Sequence, residues 1–214
     1  MKGDKWKNDL NHFMRKVEFN VAEIWNPDAP NKRIPGQYGE HETDHTNPNE
    51  NICVCIDISE PNNYYEDYAE VIEYLLSLRN IRNKFERINF NFWAVDYYLF
   101  GSLWIKRTIG LKNKIEEHYK KAEASIDTSA AIASSIFKPL DHGNNWHSLK
   151  PALILVLTKG KIINDMEQSF KTSMMKYFNK TLWICIGDDG GDYSSTILDI
   201  DSRARKRIIL ANED

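Results

Sequence analysis

The chain has 214 residues and a formal net charge of -3 at pH 7, with 42% apolar and 28% charged residues. This composition is typical of one globular domain with an appendage and excludes a disordered or fibrous chain. The small negative charge gives no general attraction to nucleic acid or anionic membrane, and no apolar run is long enough to cross a bilayer. We therefore expect neither nucleic acid nor a membrane as a partner.

The residues from Asp4 to Trp25 predict a long amphipathic helix with Asp4 as its N-cap. The alternation of Val17, Phe19 and Val21 would fit a strand, but more apolar positions follow the helical period. The apolar stripe either packs on the chain's own core or docks on a partner, which includes a second copy in a homo-oligomer. The stripe consists of Trp6, Leu10, Phe13, Val17, Val21 and Ile24.

A polar segment rich in Pro, Asn, Gly, Glu and His follows this helix and predicts a linker or exposed loop over residues 26–51. We therefore expect two units. Residues 1–50 form the N-terminal amphipathic helix and polar linker, and residues 51–214 form the folded domain.

The linker contains HETDH, which matches the HExxH motif of zinc proteases. In that function His41 and His45 would bind zinc and Glu42 would act as the base. Gly39 and Pro48 flank the motif closely, and no apolar face would bury a helix there. We interpret the match as coincidence, and a zinc-dependent hydrolase stays an alternative function.

The run from Ile52 to Ser59 is apolar and β-branched until it ends in an acid and a hydroxyl, which predicts a strand buried on both faces. Beyond it, predicted helices alternate with strands, which indicates an α/β fold with a doubly wound, mostly parallel sheet. The strand over 88–95 alternates apolar residues with Asn and is predicted to be half-buried. Strands are predicted over 52–59, 88–95, 103–107 (an edge strand after a turn at 98–101), 152–157 and 182–186. Helices are predicted over 65–82, 112–124, 128–137, 164–178 and 195–210, where a helix followed by a strand also fits.

The three cysteines, Cys53, Cys55 and Cys185, all fall in predicted buried strands. Cys53 and Cys55 share one face of a strand but are too far apart along it for a disulfide. Buried, unpaired thiols fit a reducing compartment, so we expect a cytoplasmic protein.

Three polar segments are expected to meet at one edge of this sheet, because the carboxyl ends of parallel strands lie together. Asp57 and Ser59 end the first strand, Thr128 opens a predicted helix, and Lys159 follows Thr158 at the end of a later strand. These residues could also serve as ordinary caps, with Asp57 accepting backbone N–H groups and Thr128 capping its helix.

Here the chain resembles the von Willebrand factor A domain family. In that family a strand ending in DxSxS, a loop threonine and a strand ending in (L/F)TDG form a metal-ion-dependent adhesion site. Asp57 and Ser59 match the first acid and first hydroxyl, and Thr128 matches the loop threonine. The site is degenerate, since Pro61 replaces the second hydroxyl and Lys159 replaces the acid of the TDG turn.

The resemblance extends over residues 51–210 and implies a Rossmann-like sheet with an antiparallel edge strand. It also implies a non-enzymatic protein–protein interaction module that binds another protein at the carboxyl-terminal face of the strands. Asp57, Ser59, Thr128 and Lys159 are the candidate partner-binding residues, and we predict no catalytic residue.

The departures from the family pattern predict that the site works without a metal or other cofactor. Mg²⁺ prefers an oxygen shell, and an ammonium at about 4 Å would repel it by about 8 kcal/mol at an effective dielectric constant of about 20. We expect the Lys159 ammonium to take the volume of the cation and to pair with Asp57. If Mg²⁺ binds, its ligands are Asp57, Ser59 and Thr128. The alternative function, a hydrolase, could then use a divalent metal at Asp57 instead of zinc at the HETDH segment.

Three further segments carry charge but no complete motif. The acidic turn over residues 187–192 lacks the spacing of a calcium loop. The basic clusters over residues 106–114 and 203–207 occur without a nucleic-acid-binding motif, so we interpret them as solvated surfaces.

Overall fold

The structure is a computed structural model that describes residues 3–24, 51–61, 64–105, 110–142, 151–163, 177, 180–186 and 208–210. For residues 16–24, 102, 141 and 142 it describes only the backbone. The helices are α1 (Lys5–Ile24), α2 (Tyr65–Ser77), α3 (Arg79–Lys84), α4 (Leu111–Glu123) and α5 (Ser134–His142). The strands are β1 (Asn51–Asp57), β2 (Arg87–Trp93), β3 (Tyr97–Trp104), β4 (Ala131–Ile132), β5 (Leu153–Thr158), β6 (Ile162–Ile163), β7 (Thr181–Cys185) and β8 (Ile208–Leu210).

The centre of the protein is a six-stranded sheet with the order β3-β2-β1-β5-β7-β8. All neighbouring pairs are parallel except β2 and β3. Every residue of β1 is buried, because this strand lies between β2 and β5 and helices cover both faces of the sheet. This is the predicted α/β fold: a doubly wound, mostly parallel sheet with an antiparallel edge strand and an N-terminal helix.

The two faces of the sheet have separate hydrophobic cores, since successive side chains of a strand point to opposite faces. Val54 and Ile56 belong to the core shared with α1, α2, α3 and α4. Cys53 and Cys55 belong to the core shared with α5. The Sγ atoms of Cys53 and Cys55 are 3.9 Å apart, and all three cysteines are free and buried, as predicted.

The first half of α1 packs on the domain's own core. Trp6, Leu10 and Met14 are at most 1% exposed and lie in the same core as β1. The Tyr74 hydroxyl donates to the carbonyl oxygen of Lys7 at 3.1 Å, and the Lys7 ammonium lies 3.2 Å from Glu70. The helix prediction is confirmed. Trp6 and Leu10 of the predicted stripe are buried in this core and Phe13 packs partly buried against it, whereas Met14 was not among the predicted positions. The structure does not describe the side chains of Val17, Val21 and Ile24.

The prediction that the second strand is half-buried is wrong, because all seven residues of β2 are buried. The Asn91 amide donates to the carbonyl oxygens of Ser135 and Ile136, both at 3.1 Å. A polar side chain therefore faces α5 rather than solvent. For this reason the alternation of apolar and polar residues wrongly predicted a solvent-exposed face.

The edge strand is longer than predicted, because Gly101 is not part of a turn. β3 begins at Tyr97, and the β2–β3 register shifts between Ile88 and Phe90, which indicates a β-bulge. Gly101 has φ +134°, and a Cβ there would lie 3.1 Å from the Cα of Asn89. Glycine at a bulge gives the same sequence signal as glycine in a turn.

Two predicted helices have different bounds. The segment 65–82 forms two helices because Leu78 between them is extended, with φ -67° and ψ 123°. The helix predicted over 128–137 begins only at Ser134, after the short strand β4, and continues through Pro139. Proline has no N–H for the carbonyl of Ser135 four residues earlier, and the Asn91 amide donates to that carbonyl instead.

Some predictions fall outside the described residues. They are the linker over 26–50, most of the helix over 164–178, and residues 195–207 of the last predicted helix. For residues 195–210 we predicted either a helix or a helix followed by a strand. Residues 208–210 form the strand β8, so the strand is confirmed. Among the helices of the described part of the chain, none is long and apolar enough to cross a membrane.

Candidate functional site

Asp57 ends β1 with its carboxylate buried and held by hydrogen bonds on both oxygens. Its side chain is 1% exposed. Oδ1 accepts from the backbone N–H of Ser59 at 2.9 Å and from the Ser59 hydroxyl at 2.6 Å. Oδ2 accepts from the Thr158 hydroxyl at 3.0 Å and from the backbone N–H of Lys159 at 3.4 Å. This carboxylate therefore ties the end of β1 to the end of β5.

Burial raises the pKa of Asp57, because the charged form loses its hydration. The hydrogen bonds from Ser59, the positive charge of Lys159 and the Thr158 hydroxyl lower it, without cancelling the effect of burial. Asp57 is therefore a carboxylate whose charge the surrounding donors only partly stabilise.

The Lys159 ammonium folds over the loop that follows β1. It donates to the carbonyl oxygen of Ser59 and to the carbonyl oxygen of Pro61, the latter at 2.6 Å. We predicted a direct ion pair with Asp57. Instead, Lys159 acts on that carboxylate through space, since its charge lowers the pKa of Asp57. Burial lowers the pKa of Lys159, and the charges of Asp57 and Glu60 oppose this shift.

Thr128 joins the site through Glu60, which sequence reasoning overlooked. The Glu60 N–H donates to the Thr128 carbonyl oxygen at 2.7 Å, and the Thr128 hydroxyl donates to Glu60 Oε1 at 3.1 Å. Thr128 does not cap the following helix, because β4 intervenes before α5 begins at Ser134. Glu60 occupies a variable position of the DxSxS pattern, so the motif gives no signal for it.

The structure thus brings Asp57, Ser59, Thr128 and Lys159 to one edge of the sheet. Thr158 completes the group, and its hydroxyl also accepts from the N–H of Gly160 at 3.0 Å. Carboxyl ends of parallel strands and the loops that follow them form this edge, as the sequence predicts.

The side chains at this edge supply fewer oxygen ligands for Mg²⁺ than the family pattern does. Pro61 has no side-chain oxygen, and Lys159 brings an ammonium where the pattern has a carboxylate. An ammonium lies on the carbonyl oxygens of this loop. Among the described residues, no group of three or more His, Cys, Asp or Glu could hold a metal ion.

The other candidate segments fall largely outside the described residues. This applies to His41, Glu42 and His45, to the acidic turn over 187–192, and to the basic residues at 106, 107 and 203–207. Of the first basic cluster, Lys112 and Lys114 lie on α4, and the Lys112 ammonium is 4.0 Å from Glu66.

No protein-family model and no curated protein matches the sequence. Solved structures do resemble it. Proximal thread matrix protein 1 of the mussel byssus is 13% identical with a TM-score of 0.48, over 76% of this chain and 43% of that one. BatB from Bacteroides thetaiotaomicron is 12% identical with a TM-score of 0.46, over 77% of this chain and 91% of that one. An aerotolerance-related membrane protein from Bacteroides fragilis gives the same four values.

Proposed function

We propose that the protein is a non-enzymatic interaction module of the von Willebrand factor A type. It binds an acidic group of another protein at the strand-end site, without a metal ion. One observation carries this proposal: the Lys159 ammonium is held on the loop carbonyls of Ser59 and Pro61, at the position where the family pattern has an acid. The site offers a cation built into the protein instead of a bound one.

The electrostatics of Lys159 support this function. Burial lowers its pKa, so the ammonium has lost part of its hydration, and no carboxylate among the described residues contacts it. A carboxylate from a partner would supply the missing charge and form a charge-assisted hydrogen bond with the ammonium. The two carbonyl contacts fix the position of the ammonium, which reduces the entropy lost on binding.

The topology also supports it. The strand order, the antiparallel edge strand β3 and the meeting of Asp57, Ser59 and Thr128 are what the resemblance implies. Trp6 and Leu10 of the α1 stripe are buried in the protein's own core, so an oligomer contact through this helix would use other side chains. No observation on the described residues favours a hydrolase.

A titration with an acidic peptide tests this function. The ligand is a capped peptide with one aspartate, compared with the same peptide carrying asparagine, and the amide NMR signals of Ser59, Glu60, Lys159 and Gly160 are followed. We expect shifts with the aspartate peptide that persist in chelator. Lys159→Glu abolishes them, whereas Lys114→Glu, a matched change on the exposed face of α4, leaves them unchanged.

Two results would contradict the proposal. One is binding that requires added Mg²⁺, and the other is equal binding of the aspartate and asparagine peptides.

A further inference from the structure

A groove of about 350 Å³ lies between α2 and the first turns of α4, and no residue of the strand-end site lines it. Its volume is at the lower end of the range for ligand pockets, and it is partly open to solvent. Apolar side chains form most of its surface. They are Ala69, Ile72, Leu76, Leu111 and Ile115.

The charge on the α2 side of the groove is negative. α2 contains four acidic residues and no basic one. Glu70 pairs with Lys7 at 3.2 Å, and Glu66 lies 4.0 Å from Lys112. Glu73 lines the groove, is exposed, and forms no ion pair with any residue that the structure describes. Glu73 is therefore the carboxylate that a ligand cation can reach.

Tyr65 adds an unused polar group to the same groove. Its hydroxyl is buried and has no hydrogen-bond partner within the described part of the chain. Burial and the charges of Glu116, Glu66 and Glu73 raise the pKa of Tyr65 to about 12. A buried hydroxyl gains from a partner that an incoming molecule supplies, and Glu73, the one of these three carboxylates without an ion pair to a described residue, favours a cationic one.

We propose that this groove binds a basic amphipathic helix of a partner protein. An apolar side chain of that helix fills the space between Ile72, Leu76 and Ile115, and a lysine or arginine pairs with Glu73. A helix suits the site because α2 and α4 together form a groove with an apolar floor, which is a common recognition mode for helices. Lys112 on α4 also lines the groove, and the Glu66 carboxylate 4.0 Å from its ammonium offsets that positive charge, which leaves the charge of Glu73.

The acids of α2 argue against the other large ligands that an exposed groove could bind. Anionic lipid surfaces and nucleic acids would both be repelled by a helix with four acidic residues and no basic one. This surface is separate from the strand-end site, so the inference does not rest on the proposed function.

A labelled model peptide tests the inference by fluorescence anisotropy on the full chain. The peptide is an amphipathic helix of about 18 residues, with leucine on one face and lysine on the other. A second peptide replaces lysine with glutamate, and a third replaces leucine with glutamine. We expect the leucine–lysine peptide to bind about tenfold tighter than either comparison peptide.

Variants locate the binding surface. We expect Glu73→Lys to lower the affinity for the leucine–lysine peptide about tenfold, since charge repulsion replaces attraction. Asp9→Lys, a matched change on the exposed face of α1, should leave binding unchanged, as should Lys159→Glu. Leu76→Gln should also weaken binding, and thermal denaturation confirms that each variant is folded.

Three results would overturn the inference. The first is that the leucine–lysine peptide does not bind, or binds no tighter than the two comparison peptides. The second is an equal loss in Asp9→Lys and Glu73→Lys. The third is a dimer in sedimentation that Glu73→Lys dissociates, because the groove would then hold a second copy of this chain.

Discussion

The Lys159 ammonium donates to the carbonyl oxygen of Pro61 at 2.6 Å, although the two residues are 98 positions apart in the sequence. This contact joins the loop after β1 to the end of β5, and the charge of Lys159 acts on the buried carboxylate of Asp57. It links the two residues that depart from the family pattern. The acceptor is the backbone carbonyl oxygen of position 61, so the contact does not depend on the side chain there.

We predict that Lys159→Met lowers the free energy of unfolding by about 1 kcal/mol, because the carbonyls of Ser59 and Pro61 lose a donor. The pKa of Asp57 should rise further, since the positive charge that lowers it is gone. Chemical denaturation and carboxyl-carbon NMR measure the two effects. An unchanged pKa of Asp57 would show that the ammonium does not act on this carboxylate.

Asp57 gives stability a defined pH dependence. Its folded pKa lies above the ordinary value of 3.8, so the folded state binds its proton more tightly than the unfolded state. This contribution is fully present below pH 3.8 and is lost as the pH rises through the folded pKa. The unfolding free energy of the unmodified protein should therefore fall relative to Asp57→Asn as the pH rises. A constant difference from pH 3 to 7 would contradict the prediction.

His118 gives the opposite dependence. Its ring stacks on Phe100 with centroids 3.6 Å apart, and Nδ1 lies 3.1 Å from the Tyr98 hydroxyl. Burial, followed by the charge of Lys121, lowers the pKa of His118 below 6.5. Its contribution to stability is present above pH 6.5 and is lost as the pH falls through the folded pKa. Denaturation of His118→Asn and the unmodified protein should show this difference shrinking below pH 6.5, and a growing one would refute it.

Asn91 and Pro139 should be energetically coupled. Asn91→Leu leaves the buried carbonyls of Ser135 and Ile136 without this donor, which should cost about 1–3 kcal/mol. Pro139→Ala supplies a backbone N–H that can bond to the Ser135 carbonyl. The double variant should therefore recover part of the free energy of unfolding that Asn91→Leu loses. Strictly additive free energies in the double-mutant cycle would show that the amide does not compensate for proline.

Much of the fold is predictable because apolar strands such as Ile52–Ile56 can only be buried in the centre of a sheet. The helix α1 was predictable from its amphipathic stripe, since Trp6, Leu10 and Phe13 recur at helical spacing. The errors come from residues whose role depends on distant contacts. Asn91 looks solvent-facing until α5 is placed against it.

The candidate site was predictable to the level of strand ends but not of hydrogen bonds. The positions of Asp57 and Lys159 place both residues at one edge of the sheet. The direction of the Lys159 side chain depends on the loop carbonyls of Ser59 and Pro61, which carry no sequence signal. Glu60 was missed for a similar reason, because its contact with Thr128 depends on the loop path.

Calorimetry with Mg²⁺ tests most directly whether a protein cation has replaced a metal ion at this site. Added Mg²⁺ should give no heat of tight binding with the unmodified protein. Lys159→Asp combined with Pro61→Ser restores a carboxylate and a hydroxyl, and this variant should bind the ion. Tight binding of Mg²⁺ to the unmodified protein, equal to that of the double variant, would contradict the account.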